Sequence, residues 1–134
     1  MSGINFLLDT NFVLGLLKRE ERIIELASHR KIVPKFCGVS AITRMELLGF
    51  PGIASEEEQL LKERLSQFRY VPITREIENV VISLRRIRQI KLPDAIIAGT
   101  AFYLRAELLT LDQRLLALSF RLREIFDQTS PITD

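Results

Sequence analysis

The stretch Ile4-Asn5-Phe6-Leu7-Leu8-Asp9-Thr10-Asn11-Phe12-Val13-Leu14-Gly15-Leu16-Leu17 holds a single charge, and the position of that charge decides how the chain is read. Ile4 to Leu8 is a short apolar run suited to a buried strand, and Thr10 to Leu17 reads as the helix that follows it. A strand running into a helix, with Asp9 at the joint, is the opening half of a βα unit. A buried carboxylate without partners costs several kcal/mol, so Asp9 calls for a physical explanation.

The same alternation continues downstream. Glu20 to Ser28 reads as a second helix, Phe36 to Val39 as a strand, and Ser40 as the cap of a helix through Leu48. Phe50-Pro51-Gly52 breaks the chain. Ser55 with Glu58 forms a capping box that opens a helix to Phe68. Tyr70 to Ile73 is a third strand, and Thr74 caps a long helix to Ile90 with Ile77, Val80, Val81, Leu84 and Ile87 on one face. Pro93 starts another helix, ending near Arg105, because proline suits the first helical position. Leu108 to Leu111 is a fourth strand and Glu124 to Phe126 a weaker fifth. Short apolar strands between helices predict an α/β fold, a central parallel β-sheet sandwiched between helices. One domain is expected over 1–126, with a polar tail over 127–134.

Composition narrows the chemistry. The chain has 134 residues, with 47% hydrophobic and 27% charged, enough to supply one ordinary core. A net charge of +2 does not by itself announce a nucleic-acid binder. One cysteine, Cys37, excludes a disulfide framework and points to a reducing, cytoplasmic setting. With one histidine, His29, in the polar run Ser28-His29-Arg30-Lys31, the chain cannot build a structural zinc site and shows no paired nucleophile. There is no basic region before the first apolar run and no membrane-length apolar segment. Hydrolytic chemistry would therefore fall to carboxylates.

Five of the 17 acidic residues are aspartates, and three of those five interrupt apolar segments. Asp9 is the sole charge between Ile4 and Leu17, Asp94 the sole charge between Leu92 and Leu104, and Asp112 ends the run from Leu108 to Leu111. Glu46 falls between Ile42 and Phe50, at the edge of its helix's apolar stripe. Each has a plain structural reading. Asp9 and Asp112 suit helix N-caps, Asp94 complements a helix dipole, and Glu46 can pair with an arginine. Taken together they can converge at the carboxyl edge of a parallel sheet, where ligands bind. Converging carboxylates repel one another unless a cation intervenes, and oxygen-only ligation selects magnesium or manganese. Such sites activate water and offset charge on a phosphoryl group, so phosphodiester hydrolysis is the leading chemistry.

LLDTNFVLGLL, AITRMELLGF, KLPDAIIAGTA and LLTLDQRL, in that order, resemble the four motif blocks of PIN domains, nearest the compact VapC-like toxins of prokaryotic toxin–antitoxin pairs. The resemblance runs from Leu7 to Leu115. It implies that Asp9, Glu46, Asp94 and Asp112 are the catalytic, metal-binding set, with Thr10, Asn11 and Thr110 as supporting polar residues. It also implies a Mg2+- or Mn2+-dependent endoribonuclease leaving a 5′-phosphate, commonly a homodimer and inhibited by a small antitoxin. One departure is that Leu115 and Leu116 stand where many relatives carry a further acid, so a second metal is not carried over.

Arg85, Arg86, Arg88 and Lys91 cluster before Asp94 and are candidate RNA-binding residues; they also read as the solvated face of a helix. From Ile82 to Ile125 there are eight basic and four acidic residues, an excess of four. Phe12, Leu16, Leu17, Phe50, Leu60 and Leu61 exceed what short helices need for packing, which predicts a dimer face or partner groove unless all six are core. A phosphoacceptor receiver domain and an Asp-x-Asp phosphatase both fail at Asn11. A catalytically weak RNA- or protein-binding module remains as the alternative.

Overall fold

The computed structural model describes residues 3–129. Four strands, β1 (Phe6–Leu8), β2 (Cys37–Ser40), β3 (Arg69–Val71) and β4 (Glu107–Leu109), form one parallel sheet in the order β3-β2-β1-β4. Phe6 pairs with Cys37 on one side of β1 and with Glu107 on the other, so the first strand is buried between two neighbours. Side chains alternate across that sheet. Leu7 and Leu108 enter one core with α5 (Arg75–Ile87), α6 (Leu92–Leu104) and α7 (Gln113–Thr129), while Leu8 and Leu109 enter the other with α1 (Thr10–Leu17) and α2 (Glu21–His29). Leu47 of α3 (Ala41–Leu48) and the half-buried Leu61 and Leu65 of α4 (Ser55–Leu65) complete that second core. The expected layering, helices on both faces of a parallel sheet, is the architecture found.

Close approach of α1 and α2 needs a glycine. A Cβ added at Gly15 would lie 2.0 Å from Cδ1 of Ile23, a side chain with 1% exposure. At the far edge, Arg30 at the end of α2 pairs with Glu107 of β4 and sits over the Phe6 ring, tying the helix layer to the sheet.

Three local expectations need correction. Glu124 to Phe126 is helical, not a fifth strand, because it belongs to α7, whose Leu115 and Leu122 recur at helical spacing and are buried. The sequence signals that last helix only through Asp112 as a candidate N-cap. The capping box expected of Ser55 and Glu58 does not form: α4 begins at Ser55 behind Ala54, which has no side-chain acceptor, and Glu57 rather than Glu58 accepts from the Ala54 backbone N–H at 3.1 Å. The helix from Thr74 stops at Ile87, since Arg88 turns extended and leads toward Pro93. The polar tail expected over 127–134 lies, from residue 130 onward, outside the described residues. Among the described residues no helix is long and apolar enough to cross a membrane.

Candidate active site

The strand order itself creates a crevice. From β1 the chain winds outward through β2 to β3, then crosses back to place β4 on the other side of β1. Ligands of open parallel sheets bind where that direction reverses, beyond the carboxyl ends of the strands. Asp9 follows β1 there and Asp112 follows β4.

Asp9 is 6% exposed and caps α1: its Oδ1 accepts from the Phe12 backbone N–H at 2.8 Å. Its Oδ2 accepts from the Thr110 hydroxyl, and the Thr110 oxygen in turn accepts from the Asp112 backbone N–H at 2.9 Å. Asp112 caps α7 through Oδ1, which accepts from Arg114 N at 2.9 Å and Leu115 N at 3.2 Å. Asp94 stands in the first turn of α6 behind Pro93. The structural readings of these three residues thus hold, and they do not compete with a shared site. The caps engage Oδ1 of Asp9 and Oδ1 of Asp112 and leave Oδ2 of Asp112 without a hydrogen bond among the described residues.

Glu46 comes from α3. It is exposed, and its Oε1 accepts from the Thr10 hydroxyl. Thr10 carries one hydroxyl hydrogen, so with Glu46 as its acceptor the Thr43 hydroxyl, 3.1 Å away, is the donor to Thr10. Thr43 is fully buried and was not singled out from the sequence. Its place three residues before Glu46, on the same helix face, was the available signal.

Asp9, Thr10, Asn11, Glu46, Asp94 and Asp112 line one open cleft of about 360 Å3, walled by Phe50, Pro51 and Pro93. Burial raises the Asp9 carboxyl above its ordinary 3.8; the Thr110 and Phe12 hydrogen bonds pull it back, and Asp112 and Asp94 raise it again. Three helix N-termini, of α1, α6 and α7, meet at the same cleft and favour negative charge there. The donor set, all oxygen, fits a hard divalent cation in kind. Its spacing is looser: among the described residues no three carboxylates stand close enough to hold one ion as arranged. Cys37 offers no competing chemistry, because burial pushes its thiol up to about 11.

The sequence matches the PIN domain over residues 6–121. The chain belongs to the PIN domain family. It is similar to a chain of a toxin–antitoxin complex from Klebsiella pneumoniae, with 30% identity, a TM-score of 0.72, and 84% of this chain and 91% of that one covered. It also shares its fold with a chain of FitAcB from Neisseria gonorrhoeae (23% identity, TM-score 0.67, 86% and 93% covered). A third likeness is to a chain of VapBC2 from Rickettsia felis bound to a promoter DNA fragment (18% identity, TM-score 0.68, 86% and 93% covered). No curated protein matches the chain in sequence.

In this PIN domain the basic cluster stands apart from the cleft. Arg85, Arg86, Arg88 and Lys91 are exposed, and none of them lines it. Arg85 is also tied locally, its Nε donating to the Ile90 carbonyl at 3.2 Å, which fixes the turn between α5 and α6. Leu115 is 5% exposed and serves the core while touching the cleft wall. Of the six apolar residues expected at a partner surface, Phe12 is wholly core, whereas Phe50 and Leu60 are 68% and 54% exposed. Those two, with Leu17 and Leu61, line an apolar groove of about 590 Å3 that adjoins the cleft at Thr10, Glu46 and Phe50.

Proposed function

We propose that the chain is a Mg2+- or Mn2+-dependent endoribonuclease and the toxin of a toxin–antitoxin pair. One observation carries this: four carboxylates from four separate elements line a single cleft at the switch point of a PIN fold. Asp9, Asp94 and Asp112 would hold the cation, and Glu46, aligned by Thr10, faces the same cleft from α3. When bound, such an ion supplies Lewis acidity to a phosphodiester and to the water attacking it. The chain's own contribution is positional. Thr110 and the Phe12 N–H fix the Asp9 carboxyl and offset part of the cost of charging it in a buried place, the cap of α7 aims Asp112, and Pro93 sets the turn that presents Asp94. The 30% identical chain comes from a toxin–antitoxin complex, which supports the toxin reading. A small antitoxin and a homodimer partner are the expected protein contacts, and the apolar groove beside the cleft suits either.

The looser spacing of the carboxylates favours one second reading, an RNA- or protein-binding PIN module that cuts weakly or not at all. The two separate cleanly. A nuclease cleaves single-stranded RNA to 5′-phosphate ends in Mg2+, and Mg2+ at a hundredfold excess over its Kd stabilises it by about 2.7 kcal/mol. Asp94→Asn should abolish cleavage and most of that stabilisation. A wild-type protein that binds RNA without cutting it, and gains no stability from Mg2+ or Mn2+, would be the binding module.

A further inference from the structure

At the opposite end of the sheet from the cleft lies a second hollow, of about 450 Å3, between the end of α6, the start of β4 and the middle of α7. Its volume is that of a small-ligand site. Arg105 and Arg123 both line it, and neither has an acidic partner among the described residues. The only carboxylate in its wall, Glu107, is already engaged by Arg30. Asn5 and Ser119 add neutral polar groups; the Ser119 hydroxyl donates to the Leu116 carbonyl, so its oxygen is left as an acceptor. Phe120, 57% exposed, stands at the rim. Arg105 has φ of 55°, a left-handed conformation at the end of α6 where glycine or asparagine would be accommodated at lower cost. The chain nevertheless places a guanidinium there.

α7 links the hollow to the cleft. It is capped by Asp112 and carries Leu116, Ser119, Phe120 and Arg123 on one side, at helical spacing. Arg123 lies 11 residues beyond Asp112 (123 − 112), roughly 16 Å of helix rise. That span is short enough for one strand of RNA to follow. We propose that this hollow is an auxiliary nucleotide subsite: Arg105 and Arg123 hold a phosphate of single-stranded RNA whose scissile bond occupies the cleft, and a base stacks on Phe120. Two guanidiniums match phosphate geometry, an exposed ring accepts any base, and the Ser119 oxygen suits a ribose hydroxyl. The inference rests on the nuclease reading for its substrate but on separate residues for its site.

The test is binding of single-stranded RNA without divalent metal, comparing oligonucleotides of about 4 and about 12 residues, the range one such groove covers. Arg105→Asn suits the left-handed backbone and Arg123→Gln keeps the helix, so the double variant should melt as wild type does. It should bind the long oligonucleotide about tenfold more weakly. The logarithmic salt slope should fall by about 1.4, two phosphate-binding charges at about 0.7 each. Phe120→Leu should weaken binding of the long RNA with no change in slope. If the double variant does not fold, Arg123→Gln alone should remove half of the slope change. Unchanged affinity and slope on the long RNA would overturn the proposal, as would adenosine monophosphate or inorganic phosphate filling the hollow while long RNA ignores the substitutions. RNA bound in this manner but never cut with Mg2+ would overturn the nuclease reading and leave the subsite standing.

Discussion

Replacing Thr110 with valine keeps the shape of a 7% exposed side chain and removes one hydroxyl. That hydroxyl makes two bonds, donating to Oδ2 of Asp9 and accepting from the Asp112 N–H at 2.9 Å. A hydrogen bond to a charged group contributes about 1.5–3 kcal/mol and a neutral one about 0.5–1.5. Their loss should destabilise the fold by about 2–4 kcal/mol, and the melting temperature should drop by about 8–16 °C at about 4 °C per kcal/mol for a domain of this size. The deficit should depend on pH. Thr110 favours the ionised form of Asp9, so its contribution is largest while Asp9 is charged and shrinks as pH falls through the folded-state pKa of Asp9. Thermal melts of wild type, Thr110→Val and Thr110→Ser from pH 7 down to pH 4 would measure all three effects. Serine keeps both bonds and should lose no more than a methyl's packing, about 1 kcal/mol. A valine variant within 1 kcal/mol of wild type, or a serine variant as unstable as the valine one, would refute the role given to the hydroxyl.

Asp9→Asn should flatten the pH dependence of stability in the metal-free protein, because the Asp9 pKa is raised on folding and the stability it contributes, whole below the ordinary 3.8, is lost as pH rises through the folded value. The same variant should lose RNA cleavage, which a gel assay would show. Gly15→Ala should destabilise by about 1–3 kcal/mol in denaturant titration, because its methyl meets Ile23 at 2.0 Å, and Ile23→Val should recover part of the loss. Charge reversal at Arg86, exposed near the end of α5, should weaken RNA binding alike across sequences and lower its salt slope by about 0.7. Arg85 reversal should in addition lower stability, since its Nε holds the Ile90 carbonyl.

Much of the fold was legible because its strands are short apolar runs bounded by caps that announce themselves. Thr10–Leu17 was placed to the residue, and Ser40 and Thr74 cap the helices they were expected to cap. The last helix was not legible. Its polar face, with Arg114, Arg121 and Arg123, dilutes the apolar positions, and only Asp112, which suits an N-cap, signals its start. The four acids were found by their misplacement in apolar segments. What sequence could not supply was the wiring beneath them. Thr43 is an ordinary threonine until the fold brings it to Thr10, 33 residues away, and Thr110, expected as a supporting residue from the resemblance alone, has a partner, Asp9, that lies 101 residues away. Nor does charge counting separate Arg85, fastened to a turn, from Arg86 one residue on.

The bond from Thr110 to Asp9 joins the fourth strand to the first, across 101 residues of chain. Everything that β1 needs on its β2 side is synthesised within the first 40 residues, but its other edge stays open until β4 arrives. A growing polypeptide therefore carries Asp9, Glu46 and even Asp94 into the cell well before it owns the threonine and aspartate that complete the cleft. Contacts so distant in sequence form late and slowly. For the nuclease proposed above, this topology sets an order of assembly: the strand that brings Thr110 and Asp112 closes the cleft after the other three acids are already in the chain.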